Sequence, residues 1–269
     1  MKMLEPVSSR DPVELKDKDA SPPKALPKGD ELQEKLDKLL GRLGELQSVF
    51  YADGRHALLV VLQGRDASGK DGVVRTVVGA ANPAGVRVHS FKAPTPFELA
   101  HDYLWRIHQA VPEKGMMGIF NRSHYEDVLV VRVHELVPKA VWSRRYQQIN
   151  DFEKMLSENG TVILKFFLHV SHEEQKERLR ERVEDATKNW KFNANDIDER
   201  NRWDEYTTAY QDALGKCSTK WAPWYVVPAD GNKARNYLIA KTIVDRLEQL
   251  DLRYPKPKTD LKQYVKDLK

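Results

Sequence analysis

One glycine-rich segment constrains the fold of this chain more than any other part of the sequence. Residues 64–70 read GRDASGK, which is the Walker A spacing of a glycine, four residues, a second glycine and a lysine. A short apolar run, 57–63, precedes this segment, and a helical pattern follows from Lys70. A buried strand, a glycine turn and a helix in this order predict a loop that binds phosphate, with a purely structural turn as the alternative.

The residue types of this loop suit an anion. Gly64 and Gly69 let the backbone approach a ligand closely and adopt positive φ angles, so that N–H groups can converge on phosphate oxygens. Lys70 adds a movable positive charge. We therefore predict that phosphate is bound by Gly64, Ala67, Ser68, Gly69 and Lys70.

Two carboxylates distinguish this loop from that of a common nucleoside-triphosphatase. Asp71 stands where such a protein carries Ser or Thr, and Asp66 lies inside the anion cradle. A bare carboxylate repels phosphate, whereas a divalent cation between the two groups reverses the sign of the interaction. We expect Asp66 and Asp71 to bind Mg²⁺, which prefers hard oxygen ligands. The alternatives are a favourable charge in the first helical turn for Asp71 and a solvent-facing turn residue for Asp66.

Apolar runs alternate with helical patterns along the rest of the chain. The apolar runs are 57–63, 86–91, 117–120, 162–170 and 225–227. The helical patterns are about 96–110, 140–158, 173–184, 196–214 and 233–249. This alternation predicts an α/β fold, a parallel sheet with helices on both faces. The charged stretch of about 172–215 has no strand between its two helical segments, and we predict that it forms a helical lid.

The chain divides into an arm, one domain and a tail. Residues 1–29 are rich in Pro, Lys, Asp and Ser, which predicts a flexible or surface-draped arm. We expect 30–255 to form a single domain that includes the lid, and 256–269 to be a C-terminal tail. Leucines recur at helical spacing just after residue 30, and this helix packs either on the domain or on a second subunit.

Three further residues, Lys92, Arg122 and Arg178, are candidates for phosphate contacts, and Asn121 is expected beside the loop. Ligands of open parallel sheets gather at the carboxyl ends of the strands, where Asn121, Arg122 and Lys92 follow apolar runs. Arg122 could stabilise charge on a transferring phosphoryl group, or it could be paired with a structural carboxylate. Lys92 suits either a phosphate contact or a solvated loop. In the lid, Arg178 and its neighbours are either helix-surface ion pairs or groups that swing inward on closure.

Composition narrows the class of protein. The net charge is +4 and the pI is near 8.9, which permits a polyanionic partner. The single cysteine, Cys217, excludes an internal disulfide framework, and the histidines show no metal-ligand spacing. The apolar runs are too short to span a bilayer, and the N-terminus has no apolar core resembling a signal peptide. We therefore expect a cytoplasmic protein without a membrane partner.

Four separated segments resemble one known family. The segments are GRDASGKD (64–71), FKAPTP (91–96), FNRSHYED (120–127) and EDATKNWKF (184–192), and together they resemble family-2 polyphosphate kinases over about residues 30–255. The resemblance implies a P-loop kinase fold similar to thymidylate kinase with a helical lid. It also implies Mg²⁺ as cofactor, inorganic polyphosphate, AMP, ADP and ATP as partners, and a homo-oligomer; no nucleic acid is expected.

The resemblance also assigns roles to individual positions. It implies that Asp66 and Lys70 are catalytic, and that Arg122 and the lid residue Arg182 clamp phosphates at the transfer point. Asp71 would be a metal or phosphate partner.

The resemblance assigns nucleotide binding to the segment after the third apolar run. The positions concerned are Asn121, where many members carry Asp, together with Glu126 and Asp127. The acidic pair Glu126 and Asp127 is similar to the class III branch, whose members accept both AMP and ADP.

We therefore expect reversible, Mg²⁺-dependent transfer of phosphoryl groups from polyphosphate to AMP and ADP, giving ADP and ATP. The first alternative is an ATP-dependent nucleotide monophosphate kinase, which shares the fold and the loop. The second alternative is a non-catalytic module that binds polyphosphate or nucleic acid.

Overall fold

The structure, a computed structural model, describes residues 4–8, 12–265 and 268. Its centre is a parallel sheet in the order β2-β3-β1-β4-β5. The strands are β1 (Ala57–Gln63), β2 (Val86–Ser90), β3 (Met117–Asn121), β4 (Thr161–His169) and β5 (Trp224–Pro228). Every residue of β1 is buried, because β1 is the middle strand and both of its faces are covered.

Helices cover both faces of the sheet. In chain order they are α1 (Gly29–Asp53), α2 (Lys70–Thr76), α3 (Pro96–Leu99), α4 (Trp105–Ala110), α5 (Val130–Val133), α6 (Lys139–Glu158), α7 (His172–Glu184), α8 (Asn195–Asn201), α9 (Trp203–Cys217), α10 (Asn232–Glu248) and α11 (Lys262–Val265). Leu58 and Val60 of β1 pack in one core with α1, α2 and α10, whereas Leu59 and Val61 pack in a second core with α4, α6 and α9. The α/β fold predicted from the sequence is confirmed.

One predicted helix is two helices in the structure. The pattern of 96–110 is divided into α3 and α4 by a turn: Asp102 Oδ1 accepts a hydrogen bond from the Leu104 N–H at 3.0 Å, and α4 begins at Trp105. At the start of α3, Thr95 and Glu98 form a reciprocal capping box. The loop that links β2 to this region is thereby fixed next to the carboxyl ends of the strands.

The segment predicted as a lid falls into two parts. Helix α9 belongs to the body of the domain, since its buried residues Tyr210 and Leu214 lie in the core beside α6. Helix α7, the connection 185–194 and α8 carry most of the charged residues and expose Trp190 and Ile197. The lid of about 172–215 stays a prediction, and the burial of α9 makes α7, the connection 185–194 and α8 its candidate part.

The described part of the N-terminal arm lies draped over the domain rather than flexible. Leu4 and Leu26 are buried, and the Val7 N–H donates to the Trp224 carbonyl at 2.8 Å, beside the edge strand β5. Residues 1–3 and 9–11 of the predicted arm, and 266–267 and 269 of the predicted tail, lie outside the described residues. No helix among the described residues has the length and apolar character needed to cross a membrane.

A buried polar cluster links the sheet to α6. Glu153 accepts hydrogen bonds from Lys165 Nζ at 2.5 Å, from Tyr125 Oη at 2.9 Å and from His124 Nε2 at 3.1 Å. Burial alone would raise the pKa of Glu153, but the charge of Lys165 and the contact with His124 outweigh burial and hold this pKa below its ordinary value. The cluster sits directly beneath the segment that follows β3.

Removing the cation from this cluster leaves a buried carboxylate without a counter-charge. We expect Lys165→Met to lower the free energy of unfolding by roughly 3–5 kcal/mol, measured by urea denaturation. Lys154→Met is the matched control, because Lys154 pairs with Glu158 on the surface of α6, and we expect no measurable change there. Equal effects of the two substitutions would contradict a buried charge pair.

Candidate active site

The phosphate loop, residues 64–70, joins the carboxyl end of β1 to α2. Gly69 has φ +98°, and a Cβ there would lie 2.0 Å from Arg235 Nη1, so both the conformation and the space require glycine. Ala67 also has a positive φ, 61°, which costs a residue with a side chain roughly 1–2 kcal/mol. Such strain persists only where neighbouring contacts hold the backbone in place.

The carbonyl oxygens of the loop supply these contacts. Each carbonyl of residues 64–68 accepts a hydrogen bond from a side chain: Lys70 Nζ donates to Gly64 O (2.7 Å) and Arg65 O (3.2 Å), Gln175 Nε2 to Asp66 O (3.0 Å), Arg178 Nη1 to Ala67 O (2.9 Å) and Arg235 Nη1 to Ser68 O (3.5 Å). Within the described residues, the N–H groups of Asp66, Ala67 and Gly69 have no protein acceptor. These amides are therefore available to a bound anion.

Arg122 lies at the carboxyl end of β3, next to the loop. Its Nη2 is 2.5 Å from Asp66 Oδ1, and its Nη1 is 3.4 Å from Glu126 Oε2. Glu126 and Asp66 raise the pKa of Arg122, so its guanidinium is permanently charged. The backbone at Arg122 has φ 62°, and its N–H donates to Leu62 O at 3.0 Å, which fixes the side chain against the loop.

The other predicted metal and nucleotide residues lie close by. Asn121 Nδ2 donates to Asp71 Oδ1 at 2.8 Å, which links the end of β3 to the first turn of α2. Asp127 accepts a hydrogen bond from Arg145 Nη1 at 2.8 Å, and burial raises the pKa of Asp127 to about 6. The structure thus brings the third apolar run and the phosphate loop together, as the strand-end argument predicts.

A cavity of about 630 Å³ opens beside the loop. Among the predicted residues, its lining includes Gly64, Asp66, Lys92, Arg122, Glu126 and Asp127. The lining also has an apolar wall, formed by residues that include Val130, Val131, Leu136 and Val137. A lining with both charged and apolar side chains suits a ligand that has both a phosphate and a flat organic group.

Two of the predicted lid arginines contact protein groups outside the predicted phosphate site. Arg178 donates to the Ala67, Ala229 and Asp230 carbonyls, so it supports the loop from behind and is absent from the cavity lining. Arg182 Nη1 is 2.9 Å from Oδ2 of Asp196, which lines the cavity, but Arg182 is itself absent from the lining. Neither guanidinium reaches the predicted transfer point in this conformation.

Sequence reasoning missed three arginines of the site. Arg106 and Arg145 line the cavity, and Arg65 lies 3.8 Å from the Trp203 ring centroid while Nη2 donates to Thr207 Oγ1 at 2.5 Å. Burial lowers the pKa of Arg65 to about 10. The position of Arg65 inside the loop motif could have indicated that it belongs to the site. No local sequence pattern indicates this for Arg106 or Arg145.

The fold and the site together define a P-loop phosphotransferase. The sequence profile of the family described as Polyphosphate kinase 2 (PPK2) matches residues 27–255, and the chain belongs to this family. The family recognised from the four sequence segments is confirmed.

Individual relatives agree with this assignment. A protein from Meiothermus ruber named AMP/ADP-polyphosphate phosphotransferase is 54% identical over 232 residues, 86% of this chain and 87% of the relative. An ADP-polyphosphate phosphotransferase from Rhodopseudomonas palustris is 46% identical over 226 residues, 80% of this chain and 78% of the relative. The crystal structure of Polyphosphate Kinase 2 from Arthrobacter aurescens superposes with a TM-score of 0.90 at 39% identity, covering 100% of this chain and 99% of the other.

The environment of Lys70 makes anion binding dependent on pH. Burial and the nearby charge of Arg122 lower the pKa of Lys70 to about 8 in the free protein. A bound phosphate favours the ammonium form, so binding above that pH requires uptake of a proton. We expect the affinity for tripolyphosphate to fall between pH about 8 and about 9.5, measured by titration calorimetry.

The matched control for this measurement is Lys70→Arg, whose charge does not titrate in that range. Ionisation of the tripolyphosphate itself is common to both proteins and cancels in the comparison. An identical pH profile for the two proteins would contradict a lowered Lys70 pKa.

Proposed function

We propose that this protein transfers phosphoryl groups from inorganic polyphosphate to AMP and ADP, forming ADP and ATP reversibly. One observation carries the proposal: Arg122 lies between an anion loop with free amides and a cavity large enough for a nucleotide. Transfer between two phosphate compounds needs such a cation between donor and acceptor. The names of the relatives from Meiothermus ruber and Rhodopseudomonas palustris support polyphosphate and adenine nucleotides as the substrates.

The donor and the acceptor take separate places in this proposal. The terminal phosphates of polyphosphate occupy the loop, bound by its amides and by Lys70. The nucleotide occupies the cavity, with its phosphate towards Arg122 and Lys92 and its base against the apolar wall. Three residues stay predicted nucleotide-binding residues: Asn121, which contacts Asp71, Glu126, which contacts Arg122, and Asp127, which contacts Arg145.

We propose Mg²⁺ as the cofactor, bound by Asp66 and Asp71. Among the described residues no group of three or more His, Cys, Asp or Glu side chains could hold a metal on its own. This fits Mg²⁺, which commonly takes one or two carboxylates and completes its shell with water and substrate phosphates. When bound, the ion would neutralise charge on the phosphate oxygens. Asn121 supports the site by orienting the Asp71 carboxylate.

The mechanism follows from positions and charges rather than from acid–base groups. A terminal phosphate oxygen of AMP or ADP, already anionic near neutral pH, attacks the terminal phosphorus of polyphosphate in line. The bond from that phosphorus to the next bridging oxygen breaks, and polyphosphate shortened by one phosphate leaves. Arg122 and Lys70 stabilise the charge on the transferring group, so no general base is required.

Arg182 has a place in this scheme only if α7 and α8 move. In the present conformation its guanidinium is paired with Asp196, a residue of α8. We propose that closure of α7, the connection 185–194 and α8 exchanges this pair for a substrate phosphate. A cytoplasmic location and assembly into a homo-oligomer stay predictions of the sequence, as does the absence of a nucleic-acid partner.

The proposal is tested by nucleotide formation from Mg²⁺, long-chain polyphosphate and AMP without ATP. We expect ADP to appear first and ATP to follow, measured by chromatography. Formation of ATP from ADP but no product from AMP would contradict AMP as an acceptor. If ADP forms only when ATP and AMP are supplied together, the protein is an ATP-dependent kinase and the proposal is wrong.

The same assay tests the loop residues. We expect Asp66→Ala and Lys70→Ala each to lower kcat by roughly 1000-fold or more, since Lys70 stabilises the transferring phosphate and Asp66 would hold the proposed Mg²⁺ beside it. Arg180→Gln is the matched control: Arg180 is an exposed helix arginine paired with Glu177, and its loss should leave kcat unchanged. Near-normal turnover of either loop variant, with a folded protein by circular dichroism, would remove the proposed site.

A further inference from the structure

A buried arginine supports the phosphate loop without touching solvent. Arg235, in the first turn of α10, is only 2% exposed. Its Nε and Nη2 donate to Asn236 Oδ1 at 3.2 and 3.0 Å, and its Nη1 donates to Asn232 Oδ1 at 2.6 Å. Neutral amides thus satisfy the hydrogen-bonding groups of this guanidinium but leave its charge uncompensated.

The surroundings of Arg235 are positive. No carboxylate in the described ranges 4–8, 12–265 and 268 forms an ion pair with it within 4.0 Å. Its charged neighbours are Arg178 and Arg75, which act with burial to lower the pKa of Arg235 to about 10, so the group is still charged at neutral pH. A buried charge without a counter-ion destabilises the folded state, so the presence of one calls for an explanation.

Two glycines make room for this guanidinium. A Cβ at Gly69 would lie 2.0 Å from Nη1, and a Cβ at Gly72 would lie 2.8 Å from Nη2. Gly69 also needs its positive φ, but Gly72 is within α2, where alanine has a higher helix propensity than glycine. The close approach of Arg235 is therefore the structural reason for glycine at position 72.

We infer that Arg235 is a positioning residue whose buried charge attracts and orients the phosphate chain through the backbone of the loop. The guanidinium lies against Ser68, Gly69 and the first turn of α2, and the counter-charge missing from the protein is the phosphate bound by the loop amides. The inference rests on the proposed function, because it takes polyphosphate as the anion. It assigns to α10 a part in substrate binding that the sequence does not suggest.

The charge of Arg235 is tested by comparing Arg235→Met with Arg235→Lys. Both substitutions remove the two hydrogen bonds from the guanidinium to Asn236 Oδ1, but only lysine keeps a positive charge. We expect Arg235→Met to weaken tripolyphosphate binding about tenfold at fixed ionic strength, measured by titration calorimetry, and Arg235→Lys to retain most of the affinity. Equal affinities of the Met and Lys variants, or wild-type affinity of the Met variant, would overturn the inference.

The position of the charge is tested by Gly72→Ala, which keeps Arg235 and displaces its guanidinium. We expect weaker tripolyphosphate binding in Gly72→Ala, and no further weakening when Gly72→Ala is added to Arg235→Met. Gly79→Ala is the control, since a Cβ there meets nothing closer than 3.9 Å. Additive effects of Gly72→Ala and Arg235→Met would contradict a shared cause.

These experiments separate the inference from the proposed function. Failure of the wild-type protein to bind tripolyphosphate overturns both. Tight binding by the wild type and equally tight binding by Gly72→Ala and Arg235→Met overturns only the role of Arg235. If Arg235→Met does not fold, Gly72→Ala alone decides the question, because that variant retains every polar contact partner of the arginine.

Discussion

The site depends on the hydrogen bonds that side chains donate to the carbonyl oxygens of residues 64–68. Side chains from three directions donate to them: Lys70 from within the loop, Gln175 and Arg178 from α7, and Arg235 from α10. In the described part of the chain, the amides of Asp66, Ala67 and Gly69 have no protein acceptor and can bind an anion. The contacts also hold the backbone in the strained conformation that an unconstrained chain would leave.

This arrangement explains why so much positive charge is buried around one loop. Arg65 belongs to the loop, and Arg178 and Arg235 lie within hydrogen-bond distance of it. Among the described residues, Arg178 is paired with Glu174, whereas no carboxylate forms an ion pair within 4.0 Å with Arg65 or Arg235. Asp66, one of several acidic residues of the site, is paired with Arg122. A polyphosphate chain bound by the loop can compensate the charges of Arg65 and Arg235.

The features that could be predicted from the sequence are those that depend on short stretches of it. The buried strand before the loop, the two glycines and the alternation of strands and helices are local patterns, and so the fold class and the position of the anion loop followed from them. The break between α3 and α4 comes from a short-range hydrogen bond of Asp102 that helical periodicity does not reveal, whereas the packing of α9 depends on side-chain contacts between distant segments. The same holds for Arg178 and Arg235, whose tasks are set by which helices pack behind the loop. Positive φ at Ala67 likewise reflects tertiary contacts that no residue propensity records.

The most direct measurement of the central claim is a crystal structure with tripolyphosphate and AMP bound. The account predicts phosphate oxygens about 2.7–3.2 Å from the amide nitrogens of Ala67 and Gly69. It also predicts that Lys70 Nζ leaves the Gly64 carbonyl for the phosphate, and that the AMP phosphate faces Arg122. Tripolyphosphate bound along the exposed lid arginines, with the loop amides unoccupied, would contradict the account.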